Sequence, residues 1–282
     1  KGIKVAVLDT GTDPTGFQGP YLGGKSSMEG QPIPWDENGH GTHVETTISG
    51  RPFPTPWGQI RGVAIDADVA AFKVLGGGLG FGTMSAILRG IADAVEFGAD
   101  IVSLSLGGDD EDYKTSPYHR IISGLTKGGM LFIIAAGNSG PNANTIGSPG
   151  SCPDALTVGA VSYPGGEIAS FSSRGPTLNG LIKPDVVAPG VDILSSTATA
   201  SLIDNMQFMD GPRLAAISGT SMSTPSVSGL CALALQYARI KGKILTTDHI
   251  KEACDLYGEF AGAKRNDYGW GLITYPLLKK YI

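Results

Sequence analysis

Short apolar runs recur along the chain at intervals that fit strands: "IKVAVLD", "DVAAFKVL", "ADIVSLSL", "MLFIIAA" and "ALTVGAV". Their length and β-rich composition mark them as strands. Between them lie stretches with helical spacing: the residues that follow His40, Met84 to Phe97, Tyr118 to Lys127, and the long run Ser221 to Ile240. Strands alternating with helices predict an α/β fold with a mostly parallel central sheet between helical layers. In such sheets the ligand site lies beyond the carboxyl ends of the strands.

Three polar motifs fall at those positions. Asp9 directly follows "KVAVL", so its carboxylate should emerge at the end of a buried strand. His40 opens "HGTHVETTISG" after the turn-like "DENG", and Ser221 stands at the head of the last long helix within "SGTSMSTPSVSG". A serine hydroxyl needs a base to accept its proton, and imidazole titrates in the right range to be one. A buried carboxylate fixes the imidazole tautomer and stabilises the imidazolium. Acyl transfer also needs donors for the oxyanion: the Ser221 backbone N–H and the Asn138 side chain, just beyond "LFIIAAG", are candidates. Singly, Asp9, Asn138 and Ser221 read first as turn or cap residues. Their joint order, Asp then His then Ser, is one of the arrangements in which this triad occurs.

Composition narrows the classes. At 282 residues and 41% hydrophobic, the chain can bury a large core, and no Pro/Ser linker or charge block divides it, so one domain over residues 1–282 is expected. A net charge of −5 gives no field to gather phosphates, which argues against a nucleic-acid partner. No apolar run reaches membrane-spanning length, and the sequence opens inside a strand rather than a signal; any signal peptide or pro-segment would lie outside it. Cys152, Cys231 and Cys254 lack metal-site spacing and permit at most one disulfide; Cys231, in an apolar helical pattern, reads as a buried thiol.

"VAVLDTG", "HGTHV", "AAGNSG" and "GTSMSTP", with "SLSLGG", "ASFSSRGP" and "KPDVVAPG", resemble segments of the subtilisin-like serine proteases from Val5 to about Gly271. The resemblance implies a serine endopeptidase in which Asp9 orients, His40 is base and acid, Ser221 is the nucleophile and Asn138 donates to the oxyanion. It also implies an extended peptide substrate added as a strand between Gly80, Phe81 and Gly82 on one edge and Ser105, Leu106 and Gly107 on the other. Ala135, Ala136, Gly137 and Gly147 would line a roomy apolar slot for the residue before the scissile bond, favouring large apolar or aromatic side chains. Gly147 is expected to act as its volume gate. A pro-segment in the precursor and a secreted location are further implications.

A transpeptidase or macrocyclase on the same scaffold, or a non-catalytic peptide binder, is compatible with the same motifs. An α/β-hydrolase esterase is not, since Gly219-Thr220-Ser221-Met222-Ser223 lacks the second glycine of G-x-S-x-G. His40 and His43 lack the spacing and third ligand of a zinc site. Catalysis needs no cofactor on this reading; a structural calcium is possible elsewhere, but "GRPFPTPWGQIRG" offers no acidic ligand for one. His43 is expected to pack or hydrogen-bond within its helix. The chain departs from the family at Glu45 and Thr46, where a small residue and glycine are usual. Glu45 lies about 140° around the helix from His40 and is expected to face solvent. The acidic run Asp109 to Asp112 reads as a solvated loop, with recruitment of basic substrate residues as the alternative. Met222, beside Ser221, is expected near an open cleft and within reach of small oxidants.

Overall fold

A computed structural model describes residues 1–16, 19–77, 80–109, 111–112, 114–201, 203, 206–207, 212–257 and 265–282. The chain forms two compact units, each discontinuous in sequence: Lys1–Ser103 with Asp192–Ile217, and Leu104–Val191 with Ser218–Ile282.

In the first unit, β1 (Lys4–Asp9) pairs in parallel with β5 (Asp68–Lys73) on one side and with β6 (Ile101–Leu104) on the other, and β2 (Tyr21–Ser26) adds to β5. Successive strand residues point to opposite faces, yet Val5, Ala6, Val7 and Leu8 are all at most 1% exposed. Both faces are therefore covered, which explains why the run is continuously apolar. The helices α1 (His40–Ser49) and α2 (Met84–Phe97) pack against β1 and β5. The Thr83 hydroxyl caps α2 by accepting from the Ala86 N–H at 3.2 Å, and Gly98, at φ 73°, ends it in the left-handed region that glycine tolerates. The second part of this unit is an antiparallel sheet of β10 (Ile193–Thr197), β12 (Arg213–Ile217) and β11 (Met206–Gln207), in that order, and α1 also packs on β10. The hairpin of β3 (Phe53–Thr55) and β4 (Gly58–Ile60) completes it.

The second unit carries β7 (Leu131–Ala135), β8 (Leu156–Val161) and β9 (Val186–Pro189), parallel and in that order. Every residue of β7 and β8 is buried. The long helix α4 (Thr220–Ile240) packs on all three strands, α3 (Pro117–Lys127) packs on β7, and α7 (Tyr275–Tyr281) packs on α4 and on α5 (Thr247–Tyr257). A single turn, α6 (Arg265–Tyr268), precedes α7. The five strands and four helices anticipated from hydrophobic patterning are all present, and the architecture is a mostly parallel sheet flanked by helices.

Cys152, Cys231 and Cys254 are free and buried. Burial pushes the Cys254 thiol up to about 12 and the Cys231 thiol higher still, so neither is a ready thiolate. No described helix is long and apolar enough to cross a membrane.

Candidate active site

Asp9 is the last residue of β1 and His40 the first of α1. The turn that delivers His40 depends on Gly39, whose φ of 100° suits glycine and whose Cβ position lies 2.2 Å from both the Thr197 and Ser201 hydroxyl oxygens. The His40 Nδ1 lies 2.7 Å from Asp9 Oδ1, which also accepts the Thr10 N–H at 2.7 Å. Asp9 is 1% exposed and the His40 ring 25%. A carboxylate only accepts, so Nδ1 carries the proton of this bond and Nε2 is the basic nitrogen. Burial pushes the imidazole pKa down, but the charge and hydrogen bond of Asp9, with the charge of Asp36, outweigh it and hold His40 above its ordinary value.

Ser221 lies in the first turn of α4, where N–H groups have no intrahelical partner. Pro225, one turn on, has no N–H to bond the Ser221 carbonyl. The Ser105 hydroxyl fills that vacancy, donating to the Ser221 carbonyl at 2.9 Å, while the Ser221 hydroxyl donates to the Ser105 carbonyl at 3.1 Å. Asn138 follows β7 and is exposed. Its Oδ1 accepts from both the N–H and the hydroxyl of Thr220 at 3.0 Å. With the oxygen tied down on two donors, the Nδ2 amide is the end left to donate to a ligand.

Within the first unit, then, Asp9 and His40 are brought together; within the second, Ser221, Ser105 and the Asn138–Thr220 pair. The edge residues also fall in separate units. Phe81 is 73% exposed and its backbone pairs with Gly76, while Gly82 is exposed. Ser105 and Leu106 are 3% and 9% exposed, and Gly107 is exposed. Ala135 and Ala136 are buried, Gly137 is half-buried, and Gly147 donates its N–H to the Ala136 carbonyl at 3.2 Å.

Several expectations need correction. Glu45 does not face solvent; it is 1% exposed. The helical-wheel argument fails because α1 has no solvent face: every residue from Gly41 to Ser49 is buried, against β1, β5 and β10. Glu45 Oε2 accepts from the Thr12 hydroxyl, whereas Oε1 has no hydrogen-bond partner among the described residues. Burial, with repulsion from Asp36, raises its pKa to about 7 against the Thr12 bond. Thr46, in place of the usual glycine, bonds the Thr42 carbonyl at 2.8 Å and the Ser195 hydroxyl at 2.7 Å. His43 reaches beyond its helix: Nε2 lies 3.0 and 3.1 Å from the carbonyls of Ile193 and Ala215, tying α1 to β10 and β12. Burial and the neighbouring His40 lower its pKa to about 4, so it is a neutral structural histidine.

Met222 is 2% exposed, since α4 is buried from its first turn, so it is not open to oxidants as expected. A Cβ on Gly147 would stand 2.4 Å from the Gly108 carbonyl oxygen; a larger residue would displace backbone rather than simply fill the slot. Of the acidic run, Asp110 lies outside the described residues, while Asp112 accepts the Lys114 N–H at 3.0 Å within its own turn. Among the described residues no group of three or more His, Cys, Asp or Glu side chains could hold a metal ion.

Sequence reading missed Asp36, the buried hub before α1, because "DENG" reads only as a turn. The available signal was its spacing, since an aspartate that accepts N–H groups two and three residues on is a recognisable turn chemistry.

The Subtilase family model of peptidase S8 matches residues 1–271. The chain belongs to the subtilase family. Among the relatives of this subtilase, the serine protease AprX of Bacillus subtilis is 38% identical over 271 residues, covering 89% of this chain and 60% of AprX. Pyrolysin of Pyrococcus furiosus is 35% identical, over 85% of this chain and 21% of its own length. Subtilisin Savinase of Lederbergia lenta is 35% identical, over 97% of this chain and 89% of its own. The chain thus spans only part of some relatives and nearly all of others.

Proposed function

We propose that this subtilase is a serine endopeptidase acting through Ser221, His40 and Asp9 as a single catalytic domain. The observation that carries the reading is the 2.7 Å bond between His40 Nδ1 and Asp9 Oδ1. It fixes the tautomer whose Nε2 accepts a proton and stabilises the imidazolium that results. The relatives named serine protease and subtilisin support the same activity.

On this reading Ser221 Oγ attacks the scissile carbonyl as its proton passes to His40 Nε2. The oxyanion is met by the Asn138 Nδ2 amide and the Ser221 N–H. Collapse gives an acyl-enzyme and the leaving amine takes the proton from His40; water then repeats the cycle and releases the carboxylate product. The substrate lies extended along Gly80–Gly82 and Ser105–Gly107, with a large apolar side chain against Ala135, Ala136, Gly137 and Gly147. No cofactor enters any step. A pro-segment in the precursor and a secreted location belong to the same proposal.

The test is hydrolysis of a peptide library with sequencing of the products, Ser221→Ala serving as the control. Cleavage after Phe, Tyr, Leu or Met that disappears in Ser221→Ala is expected. Cleavage mainly after Arg or Lys would overturn the specificity and revive recruitment by the acidic run. Release of cyclised or amine-capped products in place of free carboxylates would make the enzyme a transpeptidase.

A further inference from the structure

We propose that Asp36 is a positioning residue for His40, locking the strand end that carries Asp9 to the helix head that carries the imidazole and adding a second fixed negative charge behind it. The inference rests on His40 being the catalytic base.

Asp36 is 0% exposed and its carboxylate accepts five hydrogen bonds. Oδ1 takes the Thr10 hydroxyl at 2.9 Å, the Asn38 N–H at 3.0 Å and the Gly39 N–H at 2.8 Å. Oδ2 takes the Thr42 N–H at 2.9 Å and its hydroxyl at 2.6 Å. Every partner belongs to the Asp9–His40 machinery. Thr10 donates its own N–H to Asp9, and its hydroxyl oxygen accepts the Gly41 N–H at 2.8 Å. Asn38 Oδ1 accepts the His40 N–H at 3.1 Å, Gly39 sets the turn, and Thr42 lies in the first turn of α1. One carboxylate therefore spans all three segments that meet at the imidazole.

An acceptor-only group is required at this point. An asparagine of the same shape would turn its NH2 toward either the Asn38 and Gly39 N–H groups or the Thr42 N–H. The charge matters as well. The charged or titratable groups around His40 are Asp9 at the end of β1, Asp36 in the preceding turn and His43 on the same helix; Glu37, next to Asp36, is paired with Lys73 at 2.8 Å, and Glu45 faces Asp36. Asp9 and Asp36 are the anions that hold the imidazolium form, and only Asp9 touches the ring.

The test compares Asp36→Asn with the parent in two readouts. In a Ser221→Ala background, which prevents self-digestion, the His40 imidazole is titrated by NMR; in the active forms, kcat and KM for a peptide are measured. His40 should titrate at lower pH in Asp36→Asn, and kcat should fall roughly tenfold or more with KM little changed, since a small misplacement of a reacting group is costly. An unchanged titration together with an unchanged kcat would overturn the proposal. Should Asp36→Asn fail to fold, Thr10→Val keeps the charge and removes the Thr10 link, both its bond to Asp36 and its bond from the Gly41 N–H: kcat should fall while the titration stays put, and an undiminished kcat would count against the proposal. A parent protein without peptidase activity would sink the function while the NMR titration still reads Asp36 and His40.

Discussion

Asp9 Oδ1 stands 2.7 Å from His40 Nδ1 and 2.7 Å from the Thr10 N–H, so a single buried oxygen both orders the imidazole and is itself fixed by the backbone. Because the net effect of its surroundings raises the His40 pKa above 6.5, the base form appears only at correspondingly higher pH. The acid limb of kcat/KM should therefore lie above the ordinary imidazole value. Asp9→Asn should lower turnover by about 10⁴-fold, the scale on which losing the correct tautomer acts in such triads. A pH–rate profile with its limb below 6.5 would contradict this placement.

Groups that act in one step fail together. Ser221→Ala and His40→Ala should each abolish nearly all turnover, and combining them should cost little more. Multiplicative losses in the double variant, measured against the uncatalysed rate, would show that the two side chains act separately.

The Asn138 Oδ1 is held by Thr220, which leaves its Nδ2 amide to donate; on the proposed mechanism that donor meets the oxyanion. Asn138→Leu should lower kcat by about 10²–10³-fold with little change in KM, the scale on which removing one oxyanion donor acts in subtilisin. A parallel rise in KM without loss of kcat would instead make Asn138 a ground-state contact.

Glu45 and His43 oppose each other in acid stability. Glu45, raised from 4.5 to about 7, binds a proton in the folded state that the unfolded chain releases, so its contribution declines as pH rises from about 4.5 to 7. His43, lowered from 6.5 to about 4, does the reverse, and its contribution grows as pH rises from about 4 to 6.5. Each covers on the order of 3 kcal/mol with opposite slope, so the two contributions offset one another in that window. Glu45→Gln should remove one side of the balance: in a Ser221→Ala background, its stability relative to the parent, read by urea unfolding, should rise steadily between pH 4.5 and 7. A difference independent of pH would show that Glu45 is not the titrating group.

Much of this was legible because buried parallel strands leave apolar runs: "KVAVL" leads straight into Asp9, the last residue of β1, and Asn138 lies three residues beyond the "LFIIA" of β7. Periodicity failed where burial comes from tertiary packing. Glu45 sits at a position that a helical wheel assigns to solvent, but α1 is enclosed on every side. Met222 was likewise misplaced, because a helix head at a strand end can be buried from its first turn. The role of Asp36 was hidden because its five donors come from three segments, and only two of them are near neighbours in sequence. The exchange between Ser105 and Ser221 depends on a carbonyl vacated by Pro225, a consequence that no single motif spells out.

The most direct measurement is peptide mapping of the adduct formed with a fluorophosphonate, a reagent that reports an activated serine. The account predicts a single modification on Ser221, lost in Ser221→Ala and strongly slowed in His40→Ala. Modification of another residue, or labelling of Ser221 at the same rate without His40, would contradict it.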